Sequence, residues 1–153
     1  MGNKCSYGFV LRDDQGDFIA GGGGRLLGAL DPRTAEALAF REALSWIKNK
    51  GCQNVYMELD CLSVVEAIRC KASDEPYFGT VIEDFLDLLK DLRSSFVYFV
   101  RRSANSVAHA IDRASSSMFG HEEWSCVPSF LIDVIAKDFE FLMKNFSLVF
   151  ERN

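Results

Sequence analysis

A chain of 153 residues, 48% hydrophobic and 25% charged, is long enough to bury one core and too short to fill a second. Its net charge of -5 excludes a protein that coats nucleic acid by charge alone, since non-specific affinity rests on Lys and Arg neutralising phosphates, although a local basic patch stays open. Cys5, Cys52, Cys61, Cys70 and Cys126 are odd in number and show no paired short spacing, so they read as free thiols of a reducing compartment, cytoplasm or nucleus, rather than disulfides or zinc ligands.

Met1-Gly2-Asn3-Lys4-Cys5-Ser6 matches the myristoylation pattern, with Gly2 as acceptor and Cys5 available for a second acyl chain. One myristoyl chain binds membranes only marginally, so attachment would need Cys5 as well; the alternative is a chance match to a short pattern. No apolar run approaches the roughly 20 residues that cross a bilayer. Tyr7 to Arg12 and Phe18 to Gly21 flank the turn-rich Asp13-Asp14-Gln15-Gly16-Asp17 and predict a β-hairpin. The glycines 21–24 lack the Gly-Lys-Ser/Thr of a phosphate loop and read as a close-packed or bulged strand end.

Pro32 and Thr34 open a helix that runs to Lys50 and closes at Gly51. Alternation predicts a strand over Asn54–Leu59, then a helix over Cys61–Cys70, an amphipathic helix over Thr80–Leu92, a strand over Ser95–Val100 and a helix over Ser103–Ser116. A last helix is expected from about Ser129 to Asn145, after Pro128. A hairpin followed by alternating helices and strands is an α/β layout with parallel pairing across the crossovers, here one domain over residues 6–145.

Two acids stand out. At about 100° per residue, Ala37, Ala39, Phe40, Ala43, Leu44, Trp46 and Ile47 surround Glu36 on one arc of its helix, with Arg41, Glu42, Ser45, Lys48 and Asn49 opposite. A carboxylate carried inward by that stripe needs a metal ion, a basic partner or a rim position open to water. Asp60 ends the strand closing Glu58-Leu59-Asp60, where ligands of parallel sheets collect, although an Asp there also serves as a simple helix cap.

Gly8-Phe9-Val10-Leu11-Arg12-Asp13, Ala35-Glu36-Ala37-Leu38-Ala39, Glu58-Leu59-Asp60-Cys61 and Arg101-Arg102-Ser103-Ala104-Asn105-Ser106-Val107-Ala108-His109, in this order, resemble the plant reverse-transcriptase-like branch of the ribonuclease H type-1 family. Trp124 to Val134, with Val127-Pro128-Ser129-Phe130, is similar to that branch's tail. The resemblance implies a mixed sheet with helices on both faces and a site that cuts the RNA strand of an RNA–DNA hybrid with Mg²⁺ or Mn²⁺. Glu36 and Asp60 match its second and third acidic positions, as metal ligands; His109 stands at the fourth. The family's first Asp lies on a central strand ahead of the hairpin, and no acidic residue precedes Asp13 here. The expectation is therefore a sheet lacking its first central strand, with two inner edges open to a strand donated by a partner protein.

On these residues the chain is expected to be a nucleic-acid-binding domain with Glu36, Asp60 and His109 at its centre and Arg101, Arg102 and Asn105 toward phosphate and sugar. Imidazole in place of the fourth acid lowers affinity for a hard ion, so cleavage is expected to be weak or absent. The competing reading is a non-catalytic interaction module attached to a membrane through Gly2 and Cys5. Asp112 shares the polar face of its helix with Asn105 and His109 and reads as a solvated acid beside Arg113 or Arg102, the alternative being an oxygen lent to the site through water.

Overall fold

The hairpin is held by its turn. The computed structural model describes residues 5–13, 15–28, 31–101, 106–115, 117 and 120–142, with backbone alone for 138–142. β1 (Cys5–Arg12) and β2 (Phe18–Leu26) pair antiparallel from Cys5↔Leu26 to Arg12↔Phe18. The Asp13 carboxylate accepts the backbone N–H of Gln15 at 3.0 Å and of Asp17 at 2.9 Å, while Gly16 takes φ 85°, a left-handed conformation that costs other residues energy.

Glycines 21–24 are the interior of β2, not its end, and the reason is crowding on both faces. A Cβ on Gly22 would stand 2.6 Å from the Phe9 ring; one on Gly23 would stand 2.2 Å from Ser115 Oγ and 2.7 Å from the Tyr7 carbonyl. Bare backbone therefore lets α4 (Ser106–Ser115) press on one face and the Phe9 ring lie on the other. It also leaves room for β5 (Glu122–Trp124), which pairs antiparallel with Gly21 to Gly23. β5 is a strand that its Glu-Glu-Trp sequence does not announce.

α1 (Pro32–Asn49) starts where expected: Asp31 accepts the Thr34 N–H at 3.0 Å and Pro32 fills the first turn, where no N–H is needed. Its predicted stripe is buried from Ala37 to Ile47. That stripe joins Tyr7, Phe9 and Leu11 of β1 with Met57 and Leu59 of β3 (Tyr56–Leu59) in one continuous cluster. Val64, Val65 and Ile68 of α2 (Leu62–Cys70) and Phe78, Val81, Ile82 and Phe85 of α3 (Pro76–Lys90) complete it. α3 begins at Pro76, earlier than the Thr80 expected, because Phe78 joins the core from the first turn.

α1 and α3 lie side by side and run the same way, linked by Arg33–Glu75, Arg41–Asp84 and Lys48–Asp91 ion pairs. These pairs are partly exposed and contribute about 0–1 kcal/mol each. Each large buried side chain, such as Phe40 stacked on Phe85 at 4.6 Å, contributes about 1.5–3 kcal/mol, so packing holds the pair and the charges set its register.

β4 (Phe96–Phe99) pairs parallel with β3, Tyr56↔Phe96 to Leu59↔Phe99, as the crossover through α2 and α3 requires. On the opposite side of β1, Val10 packs with Val107, Ala110 and Ile111 of α4 and with Leu131. A short 3-10 turn, Ser129–Leu131, leads into α5 (Ile132–Leu142), whose Val134 and Ile135 extend this second cluster. Helices thus cover both faces, but the strands form two sheets, β1-β2-β5 and β3-β4. All five cysteines are free. Among the described residues no helix is long and apolar enough to cross a membrane.

A polar clasp fastens β5 to β1 and α1. Glu123 can only accept, so His121 donates from Nε2 to Glu123 Oε1 at 3.0 Å, and His121 Nδ1 accepts the Tyr7 hydroxyl at 2.8 Å. The nearby Trp46 indole N–H, then the His121 bond and the charges of His121 and Lys50, hold the Glu123 carboxyl below its usual range. Burial, followed by the charges of Glu42 and Glu123, pushes the Tyr7 phenol up to about 12. A raised phenol contributes stability that is fully present below the unfolded value of about 10 and is lost as pH climbs through the folded one. Tyr7→Phe should therefore flatten the fall in stability between pH 10 and 12, read by denaturant titration at each pH.

Gly23→Ala should cost about 1–3 kcal/mol by overpacking. Gly79→Ala, whose Cβ would meet Ser73 at an ordinary 3.4 Å, should be neutral or stabilise by up to about 1 kcal/mol. Thermal unfolding of the two variants checks the contrast.

Candidate active site at the carboxyl end of β3

Topology brings the two acids to one end of the sheet. α1 turns into β3 through a short connection where Asn54 N–H donates to Arg93 O at 3.0 Å and Val55 N–H to Ser95 Oγ at 3.1 Å. The end of α1 and the starts of β3 and β4 therefore lie together, and α1 runs back over the sheet toward the far end of β3. Its first turns hold Glu36, and the far end of β3 is followed by Asp60. A cleft lined by Arg33 of α1, Ser63 and Glu66 of α2 and Phe78 of α3 joins these elements at that end.

The remaining residues follow from β4. Val100 N–H donates to Leu59 O at 2.8 Å, which sets Val100 opposite Asp60 and Arg101 one residue further on, at the same end. α4 starts soon after, at Ser106, and descends across β1, so that a Cβ on Gly8 would stand 2.7 Å from the Asp112 amide nitrogen. His109 lies one turn nearer the start of α4, between Asp112 and the end where Asp60 and Arg101 sit.

Glu36, Asp60 and His109 are half-buried, and Arg101 is exposed. Glu36 lies in the buried stripe, with Ala35 and Ala37 beside it almost fully covered. Arg102, Asn105 and the lipidation candidate Gly2 lie outside the described residues. Cys5 is the first residue of β1, half-buried and opposite Leu26 in the ladder.

Two features depart from the sequence reading. Asp112 is half-buried rather than solvated, and its Oδ1 is buried with no hydrogen-bond partner. The signal was its helical spacing from His109, which puts both on the side of α4 that meets the sheet. The second, at the amino end of β3 and β4, is a row of exposed aromatics, Tyr56, Phe96 and Tyr98, with ring centroids 5.7 to 6.4 Å apart. Alternation along β3 puts Tyr56 on the same face as Glu58 and Asp60.

A hard divalent cation takes oxygen ligands, and the carboxylates of Glu36 and Asp60 are of that kind. The unpartnered Asp112 oxygen is a further donor in need of a positive neighbour. Yet among the described residues no group of three or more His, Cys, Asp and Glu is placed to hold a metal ion. Glu36 and Asp60 are the residues that would hold such an ion.

Helices on both faces of parallel and antiparallel strands, with acids gathered beyond a strand's carboxyl end, define a ribonuclease H-like α/β protein. The family described as reverse transcriptase-like matches residues 2–114, and the chain belongs to it. Ribonuclease H1 from the halophilic archaeon Halobacterium salinarum NRC-1 is similar in structure, with a TM-score of 0.66 and 22% identity over 72% of this chain and 83% of that chain. At that identity the likeness is one of fold. Comparison with curated proteins gives no significant match.

The buried Asp112 oxygen supplies a test that does not depend on activity. A buried acceptor without a partner costs about 1–3 kcal/mol, and more when charged. Asp112→Asn should raise the midpoint of thermal unfolding by a few degrees in EDTA and shrink any further rise produced by Mn²⁺. An unchanged or lower midpoint in EDTA would mean that the carboxylate is already compensated.

Proposed function

We propose that this domain binds nucleic acid, with the RNA–DNA hybrid as its ligand, at the carboxyl end of β3, and that it cleaves the hybrid weakly or not at all. The observation that supports this reading is that α1, which carries Glu36 in its first turns, starts at the end of the sheet where β3 leads into Asp60. Arg101, exposed just past the carboxyl end of β4, supplies a positive charge for a phosphate. Arg102 and Asn105 follow it in sequence and extend the contact toward phosphate and sugar. The aromatic row of Tyr56, Phe96 and Tyr98, toward the amino end of the same two strands, offers faces on which unpaired bases of a longer ligand stack.

Glu36 and Asp60 are the residues that would hold Mg²⁺ or Mn²⁺. Such an ion, when bound, polarises a phosphoryl oxygen and lowers the pKa of a coordinated water. His109, at the position of an acid in the resembling family, would accept or donate a hydrogen bond there without adding negative charge. The domain runs over residues 6–145 and works inside the cell, in cytoplasm or nucleus. Acylation at Gly2 and Cys5, the competing interaction-module reading, has no support beyond the sequence pattern; the intact mass of the protein from its native cell decides it.

A fluorescent RNA–DNA hybrid tests the proposal. Binding should persist in Glu36→Gln and Asp60→Asn. In Arg101→Ala it should weaken and lose about one unit of the slope of log K against log salt. Any Mg²⁺- or Mn²⁺-dependent cleavage should vanish in both acid variants. Failure to bind hybrid at low salt would refute the proposal, and cleavage surviving both substitutions would remove Glu36 and Asp60 from it.

A further inference from the structure

β3 and β4 carry aromatic rings on the face that the core does not use. Met57, Leu59 and Val97 pack into the cluster under α1, so alternation turns Tyr56, Glu58, Phe96 and Tyr98 to the opposite side. On β1 and β2 that side is covered by α4. On β3 and β4 it is open, with Tyr56, Phe96 and Tyr98 still 40%, 49% and 42% exposed. A solvent-facing side of a sheet is normally polar, and contiguous exposed rings mark a contact surface.

The rings form one patch. Tyr56 lies 5.7 Å from Phe96 and 6.1 Å from Tyr98, and Phe96 lies 6.4 Å from Tyr98, centroid to centroid. In a column the outer two rings would not touch, whereas here each ring borders both others. Their planes differ by only 18° to 33°, so a planar ligand can lay its face across more than one of them. The patch is small. At about 150–250 Å² per ring, less than half of it exposed, it offers on the order of 300 Å², against about 800 Å² on each partner of a stable protein complex. That is too little for a second copy or another protein, and it suits two or three stacked bases.

Charge favours the same occupant. Arg93 precedes β4 beside Asn54, and Arg101 follows it; both are exposed, and neither joins an ion pair among the described residues. Arg69 of α2 donates to Val97 O at 3.4 Å and adds a third guanidinium at β4. Glu58, half-buried opposite Tyr98, is the one acid of the two strands. It repels phosphate from the middle of the face, which leaves bases over the rings and phosphates along the arginine rim.

We propose that Tyr56, Phe96 and Tyr98 form a stacking platform for two or three bases of a single-stranded nucleic acid, with Arg93, Arg69 and Arg101 beside its phosphates. The platform deepens the nucleic-acid reading above and rests on it for the class of ligand. Asp60 follows Tyr56 along the same strand, roughly 13 Å on at about 3.3 Å per residue. The ligand so selected is a hybrid with a single-stranded extension rather than a blunt one.

Fluorescence anisotropy with two probes tests this, a single-stranded DNA of about 12 nucleotides and a blunt RNA–DNA hybrid. The wild type should bind the single strand. Tyr98→Ala and Phe96→Ala, each removing an exposed ring, should weaken that binding about fivefold or more, while Tyr98→Phe, which keeps the ring, should stay within about twofold of the wild type. No binding of the single strand, or equal affinity in the wild type and both alanine variants, would overturn the platform even where the blunt hybrid binds. Single-strand binding that falls in the alanine variants would uphold it even where the blunt hybrid fails to bind, a result that strikes the hybrid reading alone. A dimer in native mass spectrometry that Tyr98→Ala dissolves would overturn it too, by giving the patch to a second copy.

Discussion

The burial of one helical stripe governs the rest of this structure. Ala37 to Ile47 of α1 gather β1, β3, α2 and α3 into a single apolar cluster, although among the described residues no backbone ladder joins the two sheets. The same packing decides where the chemistry lies. A helix that must bury this arc carries Glu36 with it, and the short connection into β3 fixes which end of the sheet its first turns reach. Asp60, Arg101 and the first turns of α4 reach the same end by separate routes.

Much of this was legible in the sequence, for physical reasons that can be named. The α1 stripe repeats at the helical period over many residues, and its Asp-Pro start and Gly51 stop carry the backbone chemistry of helix ends. The hairpin announced itself through Asp13 and Gly16. β5 stayed hidden because its pairing depends on what β2 lacks: bare glycines on one strand are what admit another. The glycine run was correctly read as a place of close approach, but its position inside β2 follows from contacts with Phe9, Ser115 and Ile111 that lie far away in the chain. Asp112 was misplaced for a similar reason. Helical spacing gives its face, and only the fit of α4 onto Gly8 shows that this face is covered.

The site is economical in charge. Two carboxylates, a half-buried imidazole and an exposed guanidinium form an end that can meet a phosphate through a cation or through Arg101 alone. That separates affinity from catalysis. Phosphate contact needs positive charge in roughly the right place, whereas in-line displacement needs ions fixed to within fractions of an ångström. A scaffold of this family can therefore retain recognition after its hold on metal has slackened, and the fold by itself does not decide which remains.

The most direct test of the central claim is the position of a bound ion. Crystals of the protein grown with Mn²⁺ should show an anomalous peak at the carboxyl end of β3, with one oxygen of Glu36 and one of Asp60 each about 2.0–2.4 Å from it and water in the remaining positions. An ion held by only one of these acids, or the two carboxylates too far apart for a single ion to touch both, would contradict the account.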